Sequence, residues 1–157
     1  MPKNEVDTTD QRILRELQSE GKLTNVELAS RVGLSPSPCL ARVRALERDG
    51  VISGYVALVD PNAVGLGISV FIQVTLERQI EKGLEMFESR MAAFPEVMEC
   101  YLMTGESDYL LRVVVPDIKA LERFIVRELT TIPGVANIKS SFALKQVKYK
   151  TSLPMTP

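Results

Sequence analysis

Hydrophobic positions in the first fifty residues recur at helical spacing. Ile13, Leu14 and Leu17 share one face of a segment that Asp7 and Asp10 open and Gly21 ends. Thr24 and Glu27 form a T-x-x-E capping box, in which hydroxyl and carboxylate answer first-turn amides. Val26, Leu28, Ala29 and Val32 supply the apolar side of that short helix, and Gly33 is its left-handed stop. Ser35 and Pro36 start a third helix, with serine as N-cap and proline where no amide is needed. Pro38 still falls in the first turn, and Gly50 closes the helix.

The texture changes after that. Val51 to Val59, rich in Val, Ile and Tyr, predicts a short strand; Asp60-Pro61-Asn62 is a turn, and Gly65 to Gly67 finishes a linker. Ile68, Val70, Ile72, Val74 and Leu76 then alternate as one side of a strand. Leu84, Phe87, Met91 and Phe94 follow at helical spacing. Strands are predicted around Val97–Met103 and Tyr109–Val115, then a helix carrying Ile118, Leu121, Ile125 and Leu129, then a strand from about Val135 to Val147. The order is β-α-β-β-α-β. An internal repeat agrees with it: Phe94-Pro95-Glu96-Val97 and Ile132-Pro133-Gly134-Val135 each join a helix to a strand, 38 residues apart. A split βαβ fold is such a pseudo-duplication. The reading is α+β: a helix-turn-helix, winged-helix-like domain over 1–54, a linker strand and turn over 55–66, and a ferredoxin-like βαββαβ domain over 67–157.

Composition narrows the chemistry. With 157 residues, 45% hydrophobic and 25% charged, the chain is ordinary globular material. No apolar run approaches the ~18 residues of a membrane span, and no leader segment is visible in the first twenty residues. Cys39 and Cys100 are too few for a disulfide scaffold and suggest a reducing cytoplasm. The absence of histidine excludes Ser-His-Asp and Cys-His catalysis and His-ligated zinc. A net charge of −1 means that nucleic-acid binding has to rest on a local patch.

The third helix supplies such a patch. Small Ala29, turn Gly33 and apolar Leu34 have helix-turn-helix character. On a wheel, Leu40, Val43 and Leu46 fall on one side, and Ser37, Pro38, Ala41, Arg44, Ala45 and Arg48 on the other. Small residues let a helix approach a groove, and arginine bonds guanine or phosphate bidentately. Arg42 lies at the flank, better placed for phosphate, and Ser35 stands at the helix start beside this face. From Arg31 to Arg48 there are four arginines and one acid, Glu47. A solvated helix face with ordinary ion pairs is the plainer reading of the charge alone.

The run Asn25-Val26-Glu27-Leu28-Ala29, then Val32-Gly33-Leu34-Ser35-Pro36-Ser37-Pro38-Cys39-Leu40-Ala41-Arg42-Val43-Arg44-Ala45-Leu46-Glu47, resembles the Lrp/AsnC family of leucine-responsive and asparagine-operon regulators. The likeness continues through Gly50–Tyr55, Glu99-Cys100, Gly105–Leu111 and Pro133–Val135, and is closest to the leucine-responsive branch. It implies an N-terminal reader of double-stranded DNA and a C-terminal domain that dimerises and binds a small amino acid. It further implies a homo-oligomer, commonly an octamer, in the cytoplasm and associated with the nucleoid, with no membrane partner, cofactor, metal or catalytic residue.

Thr104–Asp108 alone reads as a hairpin loop needing only its glycine. The resemblance makes it the border of an effector pocket between two protomers. Met103, Thr104, Gly105, Glu106, Ser107, Asp108 and Tyr109 then form the candidate site, with Ser140, Ser141 and Phe142 on the last strand. Asp108 is the expected acceptor for an α-ammonium, amides at Gly105 the donors for an α-carboxylate, and Glu106 and Ser107 the tuners of selectivity. Cys39 and Cys100 read as packing residues. Lys139, Lys145, Lys148 and Lys150 read as a solvated edge that discourages stray strand pairing. Val114 and Phe71 fall opposite the inward side chains of their strands, so a second sheet is expected to cover them. The alternatives are a ferredoxin-like enzyme, which no carboxylate pair or phosphate loop supports, and a metabolite-binding adaptor that does not touch DNA.

Overall fold

A computed structural model describes residues 5–155. The chain divides into two compact units, residues 1–58 with 147–157 and residues 59–146. No helix among the described residues is long and apolar enough to cross a membrane.

The first unit holds helices α1 (Thr8–Ser19), α2 (Asn25–Val32) and α3 (Pro36–Arg48). Two capping boxes start it: the Asp7 carboxylate accepts from the Asp10 amide at 2.8 Å, and the Thr24 hydroxyl from the Glu27 amide at 3.2 Å, each reciprocated. Gly33 ends α2 at φ +72°, a conformation that costs a side chain and costs glycine nothing. Ile13, Leu28, Ala29, Val32, Cys39 and Leu46 form the core. Ser35 makes no side-chain cap. The start of α3 is tied instead by the Asn25 side-chain amide, which donates to the Pro36 carbonyl at 2.7 Å.

One expectation fails in this unit, and its contacts take in a stretch that follows the second unit. Val51–Val59 forms no strand, because no other strand among the described residues of the unit offers a ladder, and Val56, Leu58 and Val59 stay exposed. The segment is pinned at Tyr55, whose hydroxyl donates to Glu47 at 2.9 Å. Residues from Val147 onward belong with the first unit rather than with 67–146, because Ser152, Leu153 and Met155 bond to Gln18 of α1.

The second unit runs β1 (Ile68–Leu76), α4 (Glu81–Ala93), β2 (Val97–Leu102), β3 (Tyr109–Val115), α5 (Ile118–Arg123) continuing into a π-helical segment (Phe124–Leu129), and β4 (Val135–Phe142). The antiparallel sheet has the order β2-β3-β1-β4, the ferredoxin-like arrangement that the repeat predicts. Both repeat junctions make the same turn: the Val97 amide donates to Phe94 at 3.2 Å and the Val135 amide to Ile132 at 3.3 Å. Inward-facing Val70, Ile72, Val74, Leu111 and Val113 pack with Phe87, Met91 and Phe124 from the helices. The last strand stops at Phe142, short of Val147, where its pairing with β1 ends.

Departures from simple periodicity have local causes. In the π segment the Thr130 amide donates to Ile125 at 3.0 Å, and the wider turn sends Phe124 and Leu129 inward. Ile118 is left exposed and Ile125 only partly buried. Cys39 is fully buried, as a packing residue should be, whereas Cys100 is exposed on the edge strand β2.

Acid should loosen the first unit. The Asp10 amide and then the Arg42 guanidinium hold the Asp7 carboxyl below its ordinary 3.8, so the charged form is favoured in the folded state. Its stabilisation is complete above that ordinary value and disappears as pH falls through the lowered native one. Thermal melts should therefore place wild type above Asp7→Asn at pH 7, with the gap starting to narrow only below about pH 4 and closing below the lowered native value. A gap that does not change with pH would contradict the assignment.

Candidate functional site

Helix α3 is rotated from the expected wheel position. Cys39 and Leu46 are buried, Val43 half-buried, and Leu40 only half-buried, so the inward direction runs through Cys39 rather than Leu40. At about 100° per residue the opposite, solvent-facing line is Ser37, Ala41, Arg44 and Arg48, all exposed. Pro38 and Ala45 move to the flank, where with Ala41 and Arg42 they line a cleft of about 570 Å³ shared with Asp7, Asp10 and Asp49. Ser35 lies exposed at the start of the helix.

The four arginines divide by partner. Arg31 bridges Glu16 at 3.2 Å and Glu20 at 2.8 Å, which ties α2 to the end of α1. Arg42 pairs with Asp7 at 2.8 Å and Asp10 at 2.9 Å, tying α3 to the start of α1. Both guanidinium pKa values are raised by these acids. In the free chain Arg42 thus acts as an intramolecular strut between α3 and α1. Among the described residues Arg48 pairs only with its neighbour Asp49, at 3.1 Å, with two thirds of its side chain exposed. Arg44 has no ion pair among the described residues. The exposed line of α3 therefore presents two available guanidinium groups between small residues, the chemistry of groove and phosphate contact.

In the second unit, the loop after β2 closes where the Met103 amide donates to the Asp108 carbonyl at 2.8 Å. Gly105 adopts φ +115°, with open space where a Cβ would stand, so any other residue there is strained by its backbone alone. Met103, Thr104, Gly105 and Glu106 are exposed and Ser107 half-buried.

Asp108 is only 5% exposed and already bonded. One carboxylate oxygen accepts the Leu76 amide at 2.7 Å, the other accepts the Gln79 side-chain amide, and its own amide donates to Val74 at 2.9 Å. In the free chain Asp108 is thus an anchor that binds the loop to the end of β1. Tyr109 is buried too, stacked on Phe87 with centroids 4.5 Å apart and donating to Glu88 at 2.7 Å. Desolvation, then Glu88, raises its phenol pKa strongly.

Ser140, Ser141 and Phe142 are exposed on β4, opposite Ile72, Phe71 and Val70. Tyr109 faces Val74 on the other flank of β1. Four residues along β1 and two strand spacings put Phe142 roughly 15 Å from the loop. A single protomer thus does not bring the two halves of the predicted effector set together. A cleft of about 390 Å³ between α4 and β2 includes Glu88, Met98 and Cys100 but shares only Tyr109 with that set. Although the residue is exposed overall, partial desolvation at the cleft and then the Glu88 charge raise the Cys100 thiol to about 11.

The face of the sheet away from the helices carries Phe71 opposite Arg112, and Leu110 opposite Tyr101, with Phe71 40% exposed and Tyr101 about half. Arg112 pairs with Glu99 across the strands; with the Tyr101 hydroxyl it holds that carboxyl below its usual range. Val114 lies half-buried on the same face, as the alternation predicts.

Comparison with known proteins finds two matching domains along the chain. Residues 69–153 match the Lrp/AsnC ligand binding domain, and residues 6–53 match a winged helix-turn-helix DNA-binding domain. The Bkd operon transcriptional regulator of Pseudomonas aeruginosa is 47% identical over 151 residues, covering 96% of this chain and 99% of its own. The leucine-responsive regulatory protein of Escherichia coli K12 is 41% identical over 152 residues, covering 97% and 93%. A solved transcriptional regulator of Neisseria meningitidis in complex with L-Met matches with a TM-score of 0.90 at 45% identity, over 96% of this chain and 97% of that one. These relatives are transcriptional regulators and not enzymes, which removes the catalytic alternative. The chain belongs to the Lrp/AsnC family of transcriptional regulators, with an N-terminal winged helix-turn-helix and a C-terminal four-stranded α+β ligand-binding domain.

Proposed function

We propose that this regulator reads specific double-stranded DNA through α3 and changes its DNA affinity or assembly when a free amino acid binds beside the Gly105 loop. The observation that carries the first half is the line Ser37, Ala41, Arg44 and Arg48, where small residues flank guanidinium groups available for contact. Arg44 is the base or near-base contact and Arg48 its neighbour. Arg42 supports the reading helix from behind.

For the second half, the support is the open loop backbone at Gly105 and its distance from Ser140–Phe142. An amino acid that needs both has to bind where two copies meet, its carboxylate on loop amides and its side chain against Met103 and Phe142. Asp108 contributes by holding the loop in shape. The related Neisseria protein was solved with L-Met, and the Escherichia coli relative is named for leucine, which favours an apolar amino acid here. A site between copies gives the ligand different affinities for different assemblies, the requirement for an allosteric effect.

The copies meet, in this reading, through the bare sheet face of Phe71, Leu110 and Val114. Two readers in one dimer then meet half-sites about one helical turn, or a multiple of it, apart.

Arg44→Ala should cost about 1–3 kcal/mol on the specific site at fixed salt. Arg42→Ala should act first on the melting temperature. Unaltered operator binding by Arg44→Ala in gel-shift titrations would refute the face assignment, and no shift of any upstream fragment by wild type would favour the adaptor.

Asp108→Ala leaves the Leu76 amide buried without an acceptor, so a loss of about 1–3 kcal/mol in stability is expected together with weakened amino-acid binding. Titration calorimetry against the twenty amino acids measures this. No heat with any of them would reduce the Gly105 loop to a plain hairpin.

Phe71→Lys should shift the full chain toward monomer in analytical ultracentrifugation, since a charge replaces apolar area that the second sheet would cover. An unchanged sedimentation profile would place the dimer elsewhere.

A further inference from the structure

The C-terminal strap, from Val147 onward, packs with the first unit although it follows directly from the last strand of the second. One side chain receives it. The Leu153 amide donates to Gln18 Oε1 at 2.6 Å, Gln18 Nε2 donates to the Met155 sulfur at 3.4 Å, and the Ser152 hydroxyl donates to the Gln18 carbonyl at 3.2 Å. The Met155 amide in turn donates to the Leu153 carbonyl at 2.9 Å, which folds the strap into a turn around this contact. A glutamine amide offers an acceptor and a donor at once, so it answers both strap groups.

The same end of α1 also holds α2. Glu16 and Glu20, two residues either side of Gln18, hold Arg31 of α2. A Cβ at Gly21 would stand 3.7 Å from the Tyr55 ring, in the chain segment that leaves this unit toward the second. The returning connection between the units is therefore fastened at Gln18, and the outgoing one passes beside Gly21 at Tyr55, which Glu47 holds. On the returning one, only nine residues separate Phe142, in the candidate effector wall, from Ser152 at the Gln18 contact.

We propose that Gln18 is a positioning residue: by gripping the strap that continues from β4, it carries the state of the effector wall to α1 and, through Glu16 and Glu20, to α2. This rests on the amino-acid-responsive reading given above. A strap that only stabilised the unit would change folding and basal affinity. A strap that transmits would change the dependence of one site on the other.

The test uses the full chain as wild type, Gln18→Ala and Gln18→Glu. DNA dissociation constants are measured with and without saturating L-methionine or L-leucine, next to calorimetric amino-acid binding and melting temperature. In wild type the amino acid should change the DNA constant about fivefold or more. In Gln18→Ala that factor should collapse to within about twofold of unity, with amino-acid binding, ligand-free DNA binding and melting temperature retained. Gln18→Glu keeps the acceptor for the Leu153 amide and should keep most of the factor. A wild-type factor in Gln18→Ala would overturn the proposal, as would a factor lost together with amino-acid binding or stability. No heat from either amino acid with wild type would overturn the effector reading itself, and this inference with it.

Discussion

Helices cover one face of the β2-β3-β1-β4 sheet and leave the other bare, and most of the second unit follows from that one-sidedness. Strict alternation along β1 and β3 is the local form of the constraint, with Val70, Ile72, Val74, Leu111 and Val113 fully inside. A one-residue slip would turn this set outward and bring Phe71 and Arg112 under the helices, so the register is strongly determined. The buried Asp108 carboxylate reinforces it at the sheet end. A charge so far from water is tolerated because backbone and side-chain amides answer both oxygens. Its bond to Leu76 sets where β1 stops and where the Gly105 loop begins.

The first unit answers a different constraint. Three short helices bury few side chains, so ion pairs and caps fix their mutual angles. Exposed ion pairs contribute little free energy each. Arg31 and Arg42 nevertheless hold α2 and α3 to opposite ends of α1, and that fixes the direction in which Arg44 and Arg48 point. Orientation is the product of these contacts more than stability.

What was legible in the sequence was local. Capping boxes, the glycine stop of α2, the alternation of β1 and the paired Pro95 and Pro133 junctions depend on residues within a few positions of each other, and the structure realises them. What the sequence does not show involves partners far along the chain or none at all. Asp7 and Asp10 capture Arg42 from 35 and 32 residues away. Leu76 and Gln79 capture Asp108 across 32 and 29. Val51–Val59 has strand composition, but a strand needs a neighbour, and none stands beside it among the described residues of its unit. On α3 the smaller Cys39 is fully buried and the larger Leu40 only half, so the inward direction differs from the one that residue size alone predicts.

That the DNA-reading unit is discontinuous in sequence has a consequence for how the protein is made. Synthesis runs from the N-terminus and domains fold as they emerge. The three helices can assemble early, but the strap that docks on Gln18 is translated only after all four strands of the second unit. The reader is thus completed last, by the end of the chain that finishes the effector domain. A molecule truncated before the strap keeps the three helices and lacks the stretch that docks on Gln18.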